Sequence, residues 1–474
     1  MKKVSKISYV LFYLFSHLFS QEPFLEIRPY VPPSFEQYPV AHNVDHHFPY
    51  TNQADDIFLR FDGIEFTENL LYPDCLSGSS CYDGHAGVDY YMPFNNPILA
   101  PASGYVLWAS FSPAADPCPG GISPNGDQGT IIIAHGNGYY TVYLHMNDPL
   151  NVSVGDNVVV GDTLGFNGNT GCAINAHLHF EIRKDNWFFD SNEPYVVDPF
   201  GWWSNNLDPI EDIRENRSEW LWTSDNLVDD GDNGFQRFSG PDWTYLNTGF
   251  NNDSWIAPTT EATSDSRHYA IWVPYLEQAT EYNIEIYVPP GVDAATETIY
   301  ELNVKYEDGT SIKSDITVDQ NIDPGNFHTI ETLNLPSGYN CSVILRDVVG
   351  PSSSGSHVVF DAIRFTPVFS TSLEKEISNV FPDQIIINSI YPNPFNSSTT
   401  IQYNSKKKGD VSIFIFDLSG KTLSQFFHEN QPKGSHHFKW DGKTESGLNL
   451  PTGVYLFSVS LNGKSSTKKM IYLK

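Results

Sequence analysis

Two short stretches of this sequence could do metal chemistry: His85-Ala86-Gly87-Val88-Asp89 and His177-Leu178-His179. Side chains of a β-strand alternate with a period of two, so His177 and His179 would point the same way on a strand. The four-residue step from His85 to Asp89 is also even, and extended backbone would bring that pair to one face. Two imidazoles and a carboxylate meeting at a point, with further imidazoles beside them, form the ligand set of an open catalytic zinc site that keeps one position for water. Zinc lowers the pKa of bound water to about 7, which yields a nucleophile near neutral pH. Attack on a peptide carbonyl builds an oxyanion that needs nearby donors. The candidates are His145, which follows Tyr143-Leu144, and His177. No His-Glu-x-x-His stretch occurs, since His428-Glu429 lacks the second histidine, so the general base is expected to be His145 or His177. Glu181 shares a strand face with His179 and reads either as a carboxylate supporting that ligand or as a solvated strand end. Two histidines and a carboxylate also fit a non-haem iron site.

The elements that must position these residues are strands. The chain has 474 residues, enough for two to four domains. Its 32 prolines, 34 glycines and 26 tyrosines, without a long stretch of helical apolar spacing, predict a mainly β, multi-domain protein. Within 72–200, the segments 105–110, 131–134 and 141–145 read as strands of a compact antiparallel sheet. Gly136-Asn137-Gly138 is a turn signal between the last two. In 224–368, Tyr282, Ile284, Ile286 and Val288 alternate with polar residues, the pattern of a half-buried strand.

The remaining segments have separate expectations. Residues 1–20 read as a secretory signal peptide: Lys2, Lys3 and Lys6 precede an apolar run, and Ser20-Gln21 is the cleavage point. No other segment is long and apolar enough to span a membrane, so the mature chain is expected to be exported without a transmembrane span. Residues 21–71 form an N-terminal extension with the cluster His42-Asn43-Val44-Asp45-His46-His47, read as a structural extension or, alternatively, as an inhibitory segment covering the metal. Residues 201–223 connect two domains and carry Trp202, Trp203, Trp220 and Trp222, expected to pack at the junction. Residues 369–385 are a second linker. The formal charge of −30 argues against nucleic acid as a partner. From Gln384 onward, however, 11 Lys face 5 Asp and Glu, a balance of +6 that leaves −36 upstream and marks a part with a separate job. Export permits disulfides. Pairing Cys75 with Cys81 and Cys118 with Cys172 would staple loops around the site, although connectivity stays open, and Cys341 reads as a lone core residue.

Taken in order, the motifs of 72–200 resemble the lysostaphin-type zinc endopeptidases that cut peptidoglycan peptides. The matching stretches are Gly84-His85-Ala86-Gly87-Val88-Asp89, Asn96-Pro97-Ile98-Leu99-Ala100-Pro101-Ala102-Ser103-Gly104, Tyr143-Leu144-His145, Val154-Gly155-Asp156, Gly168-Asn169-Thr170-Gly171 and His177-Leu178-His179-Phe180-Glu181-Ile182-Arg183. The resemblance implies Zn2+ held by His85, Asp89 and His179, with His145 and His177 as the catalytic pair. It also implies the antiparallel β fold known as a duplicated hybrid motif. This chain departs from it in a long insertion between Phe111 and Gln128 that carries Cys118. Cleavage specificity is therefore not copied from any relative.

Residues 224–368 resemble golvesin C-terminal-like β-sandwich modules through Val228-Asp229-Asp230, Ala270-Ile271-Trp272-Val273-Pro274 and Asp361-Ala362-Ile363-Arg364-Phe365. A glycan or surface ligand is the expectation by association. Asp229, Asp230 and Asp232 read as an acidic turn, with calcium as the alternative. Residues 386–474 resemble the immunoglobulin-like C-terminal sorting domains of the type IX secretion system. They do so through Tyr391-Pro392-Asn393-Pro394-Phe395-Asn396, Trp440-Asp441-Gly442, Pro451-Thr452-Gly453-Val454-Tyr455 and the ending Lys468-Lys469-Met470-Ile471-Tyr472-Leu473-Lys474. This implies the type IX machinery as a partner and a secreted or outer-surface location. The resulting expectation is a secreted zinc endopeptidase acting on peptidoglycan peptides. The alternatives are a peptidase of glycine-rich extracellular protein and a non-catalytic cell-wall or surface binding protein.

Overall fold

A computed structural model describes most of the chain between residues 23 and 473; outside it lie 1–22, 34–36, 50–56, 68–82, 119–122, 188–194, 239–242, 369–384, 417–420 and several stretches of one to three residues. The signal-peptide reading and the Cys75–Cys81 pairing fall outside the described residues. The chain divides into two compact units, 1–368 and 369–474.

The first unit is built on one sheet of thirteen strands among the described residues. These are β1 (Val40–His42), β2 (Val88–Tyr91), β3 (Gly104–Ser112), β4 (Gln128–Gly136), β5 (Tyr139–Leu144), β6 (Asn157–Val158), β7 (His177–Lys184), β8 (Val196–Val197), β9 (Phe235–Phe238), β10 (Tyr269–Trp272), β11 (Thr298–Lys305), β12 (Ser311–Val318) and β13 (Cys341–Val349). Their order is β6-β3-β4-β5-β7-β2-β1-β9-β10-β13-β11-β12, with β8 added beside β7. The β3–β4–β5–β7–β2 stretch is antiparallel throughout, as expected for 72–200. Its β4–β5 turn is the expected one, with Gly136, Asn137 and Gly138 all at positive φ. That conformation matches the twist of the two strands and costs glycine and asparagine little.

Strand β1 belongs to the N-terminal extension, and it is the seam of the sheet. It pairs antiparallel with β2, His42 opposite Asp89, and parallel with β9, Val40 opposite Phe238. The extension is thus packed structure, in keeping with the first reading of the histidine cluster. One apolar core runs beneath the seam, joining Leu25, Tyr30 and Val40 of the extension to Tyr90, Ile133 and Phe180. The same core takes in Phe238, Tyr269 and Ile344 of the next domain. Residues 201–223 are no loose connector: Trp202, Trp203, Trp220 and Trp222 are all buried. Burying four indoles draws the connection into the core, because each removes a large apolar surface from water.

In the second domain of this unit, strands β9 to β13 pack over a four-stranded sheet of Leu227–Val228, Ile363–Pro367, Thr280–Tyr287 and Phe327–Leu335. Tyr282, Ile284, Ile286 and Val288 are buried as their alternation predicts, and Cys341 is a buried free thiol. The unit beyond residue 368 has two sheets. One pairs Ile385–Tyr391, Thr399–Ser405 and Gly434–Trp440, and the other Thr422–Gln431, Gly409–Phe416, Gly453–Leu461 and Lys464–Tyr472. They close on Phe395, Tyr403, Trp440, Phe457 and Tyr472. The chain is therefore mainly β and multi-domain. Among the described residues, no helix is long and apolar enough to cross a membrane.

An ion-pair cluster at the extension ties the two halves of the first unit together. The buried Asp62 carboxylate takes hydrogen bonds from Arg60 and from Arg346 of β13. Burial alone would push this carboxyl up, but the two guanidiniums outweigh it and hold it well below its ordinary value. Its stabilisation is therefore present above about pH 4 and is lost as pH falls through the depressed folded value. Removing the carboxylate leaves the buried Arg60 and the part-buried Arg346 guanidiniums facing each other, so Asp62→Ala should lower stability by about 3–5 kcal/mol. Urea unfolding at pH 7 checks this, and the gap from wild type should narrow in strong acid.

Candidate active site

Three strands bring the predicted residues together. β7 lies between β5 and β2, so His179 sits opposite Leu144 on one side and Asp89 on the other, while His177 sits opposite Tyr91. His177 and His179 reach the same centre, as the period of two requires. His85 and Asp89 do approach each other, at 3.4 Å, but not through the even step of one extended strand. β2 begins at Val88, and His85 arrives from the turn before it, held by contacts rather than by strand alternation. His145 likewise lies just past the end of β5, with φ of 63° turning its ring back toward β7.

Asp89 Oδ1, His85 Nε2 and His179 Nδ1 converge: His179 Nδ1 is 2.9 Å from Asp89 Oδ1 and 3.1 Å from His85 Nε2, and His85 Nε2 is 3.4 Å from Asp89 Oδ1. Ligand atoms about 2.0–2.1 Å from a tetrahedral zinc lie roughly 3.3 Å apart, so this triangle has the size of three corners of such a site. These residues could hold a metal ion.

Each ring is fixed by the nitrogen that does not face the centre. His85 donates Nδ1–H to the Asn43 carbonyl (2.7 Å), His145 to that of Thr170 (2.8 Å) and His177 to that of Asn175 (2.9 Å), so all three turn Nε2 inward. His179 is the opposite case, because Nε2–H goes to Glu181 (3.1 Å) and Nδ1 faces the centre. Glu181 is buried and also takes a bond from Arg183 Nε (2.6 Å), so the solvated strand-end reading does not hold. Such outer partners set the tautomer and orientation of a ligating ring.

Electrostatics separates the two kinds of histidine. Burial, reinforced by the His177 and His179 charges, pushes His145 down to about 3, and burial also lowers His177. Both are neutral at pH 7. Burial also opposes charge on His179, but hydrogen bonds to Asp89 and Glu181 outweigh it and hold that ring up at about 9. Asp89 is buried too, which favours its neutral form. The charges of His85 and His177 and the bonds from His179 and His42 prevail, holding it well below the ordinary carboxylate range.

From the histidine cluster of the extension, His42 Nδ1 lies 3.1 Å from Asp89 Oδ2, across 47 residues of sequence, a contact that no local pattern announces. The insertion is held to the site by the Cys118–Cys172 disulfide, the second of the expected pairings, and by an Asn125–Gly171 bridge. Both anchor the loop whose Thr170 carbonyl orients His145. In the second domain, the grouped carboxylates are Asp229, Asp230 and Asp253. Asp232 instead folds back to accept the Asp229 amide at 2.9 Å, as an acidic turn would.

Residues 83–191 match the family model for Peptidase family M23, 226–367 that for the Golvesin C-terminal domain, and 393–465 that for the FlgD Ig-like domain. Three successive stretches of the chain are thus similar to an M23 peptidase domain, a Golvesin C-terminal domain and a FlgD-type Ig-like domain. It is 37% identical over 133 residues to an uncharacterized metalloprotease of Buchnera aphidicola, covering 27% of this chain and 31% of that one. To the peptidoglycan DD-endopeptidase ShyA of Vibrio cholerae it is 34% identical over 98 residues, 21% of this chain and 20% of that one. The chain therefore spans less than a third of the length of these curated relatives. Among solved structures, the catalytic domain of lysostaphin from Staphylococcus simulans is 29% identical, covering 25% of this chain and 79% of that one, with a TM-score of 0.20.

Gly87 shows how tightly the site is closed from behind. A Cβ there would lie 2.7 Å from the Phe180 carbonyl and 2.8 Å from His179 Nε2, against the bond to Glu181. Gly87→Ala should therefore misplace His179 and weaken metal binding by about 10–100-fold, as loss of an outer partner does. Chelator competition measures the change.

Proposed function

We propose that the chain is a secreted, zinc-dependent endopeptidase that hydrolyses peptide bonds of peptidoglycan. The observation that carries this reading is the convergence of His85 Nε2, Asp89 Oδ1 and His179 Nδ1, with the neutral rings of His145 and His177 beside them. The match to Peptidase family M23 and the likeness to peptidoglycan endopeptidases of Vibrio cholerae support the reaction and the substrate class.

His85, Asp89 and His179 would hold the metal. Zinc in that position supplies Lewis acidity, lowering the pKa of water to about 7 and polarising a carbonyl. The chain's own residues do the rest. His145 and His177 stand 4.5 Å apart, ring centre to ring centre, each with Nδ1–H committed to a backbone carbonyl. The Nε2 lone pair of one therefore accepts the proton of the attacking water. Once charged, that ring donates to the developing oxyanion, and the proton is then passed to the leaving amine. Asp89 and the Glu181–Arg183 pair are fixed charges that need no rearrangement as this happens.

The signal-peptide sequence and the basic, Ig-like end support export through the type IX machinery to the surface or medium, which would put the site where cell-wall peptides are. The Golvesin-type module supports a role in holding a glycan or surface near it.

The purified full chain should contain one zinc per molecule and release peptide fragments from isolated sacculi. His179→Ala should lose both metal and activity. His145→Ala and His177→Ala should keep zinc and lose about 10²–10⁴-fold in kcat, the range for a general acid–base group. Zinc-free protein, or wild-type turnover by His179→Ala, would reject the reading.

A further inference from the structure

Resting on that reading of the metal centre, we propose that the N-terminal strand is a working part of the centre, with His42 as the positioning residue of Asp89. The strand lies outside the matched peptidase region, which begins at residue 83. Even so, residues 42–45 make four hydrogen bonds and one strand pairing to the part of the chain that supplies two of the three ligands. His42 donates Nδ1–H to Asp89 Oδ2 at 3.1 Å, and Asn43 accepts His85 Nδ1–H on its carbonyl at 2.7 Å. The Asp45 amide donates to the His85 carbonyl at 2.9 Å, and Asp45 Oδ2 accepts the Gly84 amide at 2.8 Å. Asp45 Oδ1 accepts the amides of His47 and Leu59, which fixes the carboxylate from the other side. The fifth contact is the strand pairing that sets His42 opposite Asp89.

These contacts matter because of what they leave undetermined when absent. The outer torsion of an aspartate is broad and nearly two-fold, so the strand backbone alone does not set the plane of the Asp89 carboxylate. Oδ1 has three imidazoles around it, His179 at 2.9 Å, His85 at 3.4 Å and His177 at 3.6 Å. Oδ2 points away from them, and His42 holds it there. The carboxylate is thereby presented with one oxygen only, and the second oxygen cannot swing in and take the position a water needs. Tyr91 keeps the His42 ring in place, edge-on at 5.3 Å. His179 has its equivalent support, Glu181, within the peptidase domain, whereas Asp89 and His85 take theirs from the extension. His42 is buried, so this bond is made out of water, where it is worth more than on a surface.

The test compares full-length wild type, His42→Phe and His42→Asn. Phenylalanine keeps a ring without the donor. Asparagine loses the ring but carries an N–H donor on its γ-carbon, where histidine carries Nδ1. Zinc affinity is read by chelator competition, and the unfolding of the zinc-stripped proteins is followed in parallel. The expected result is a Kd for zinc raised about 10–100-fold in His42→Phe, with His42→Asn within a few-fold of wild type although it packs less well. Wild-type zinc affinity in His42→Phe would overturn the inference while leaving the proposed function standing. An equal loss in both variants, tracking their stability, would also overturn it by reducing His42 to packing. Failure of the wild type itself to bind zinc would overturn both.

Discussion

The structure turns on one carboxylate. Asp89 is fully buried, at the middle of a sheet, with imidazoles on three sides of one oxygen and a fourth on the other. A charge in such a place is costly unless it is paired and hydrogen-bonded. The fold meets that demand by setting β2 between β7 and β1, which delivers His179 from one neighbour and His42 from the other at the same register position. Once Asp89 is charged and its oxygens are assigned, the orientation of every other ring follows from a bond on its far side.

That arrangement also explains why the first unit is continuous. The strand that supports Asp89 is the strand that carries the sheet into the Golvesin-type domain, so the extension cannot serve the site without also joining the two domains. Arg28 reinforces the joint, lying 4.2 Å over Trp222 and donating to the carbonyls of Asn233 and Phe235. A tethered module would be free to move relative to the site. Here a shared sheet and a shared core hold the two together.

Much of the site was legible because its chemistry is local. His177 and His179 were readable from the period of a strand, and the β4–β5 turn from its Gly-Asn-Gly. The His85–Asp89 step anticipated the approach of these two side chains through a mistaken geometry, since a turn and a strand start can converge as well as a strand can. Glu181 was left open because alternation places it on a face but does not say whether water reaches that face. The part that was not legible is the part made by long-range pairing. Nothing within several residues of His42 or Asp45 indicates that a strand 40 residues downstream will lie beside them. A histidine-rich stretch reads the same whether it covers a metal or supports its ligands. The junction tryptophans were read correctly as packing, but their depth of burial depends on the shared core, which no local pattern reveals.

Anomalous diffraction at the zinc edge, from crystals of the full chain grown with zinc, tests the central claim most directly. A single strong peak within about 2.0–2.2 Å of His85 Nε2, Asp89 Oδ1 and His179 Nδ1 is the predicted result. No peak there, or a peak only at the Asp229, Asp230 and Asp253 carboxylates, would contradict it.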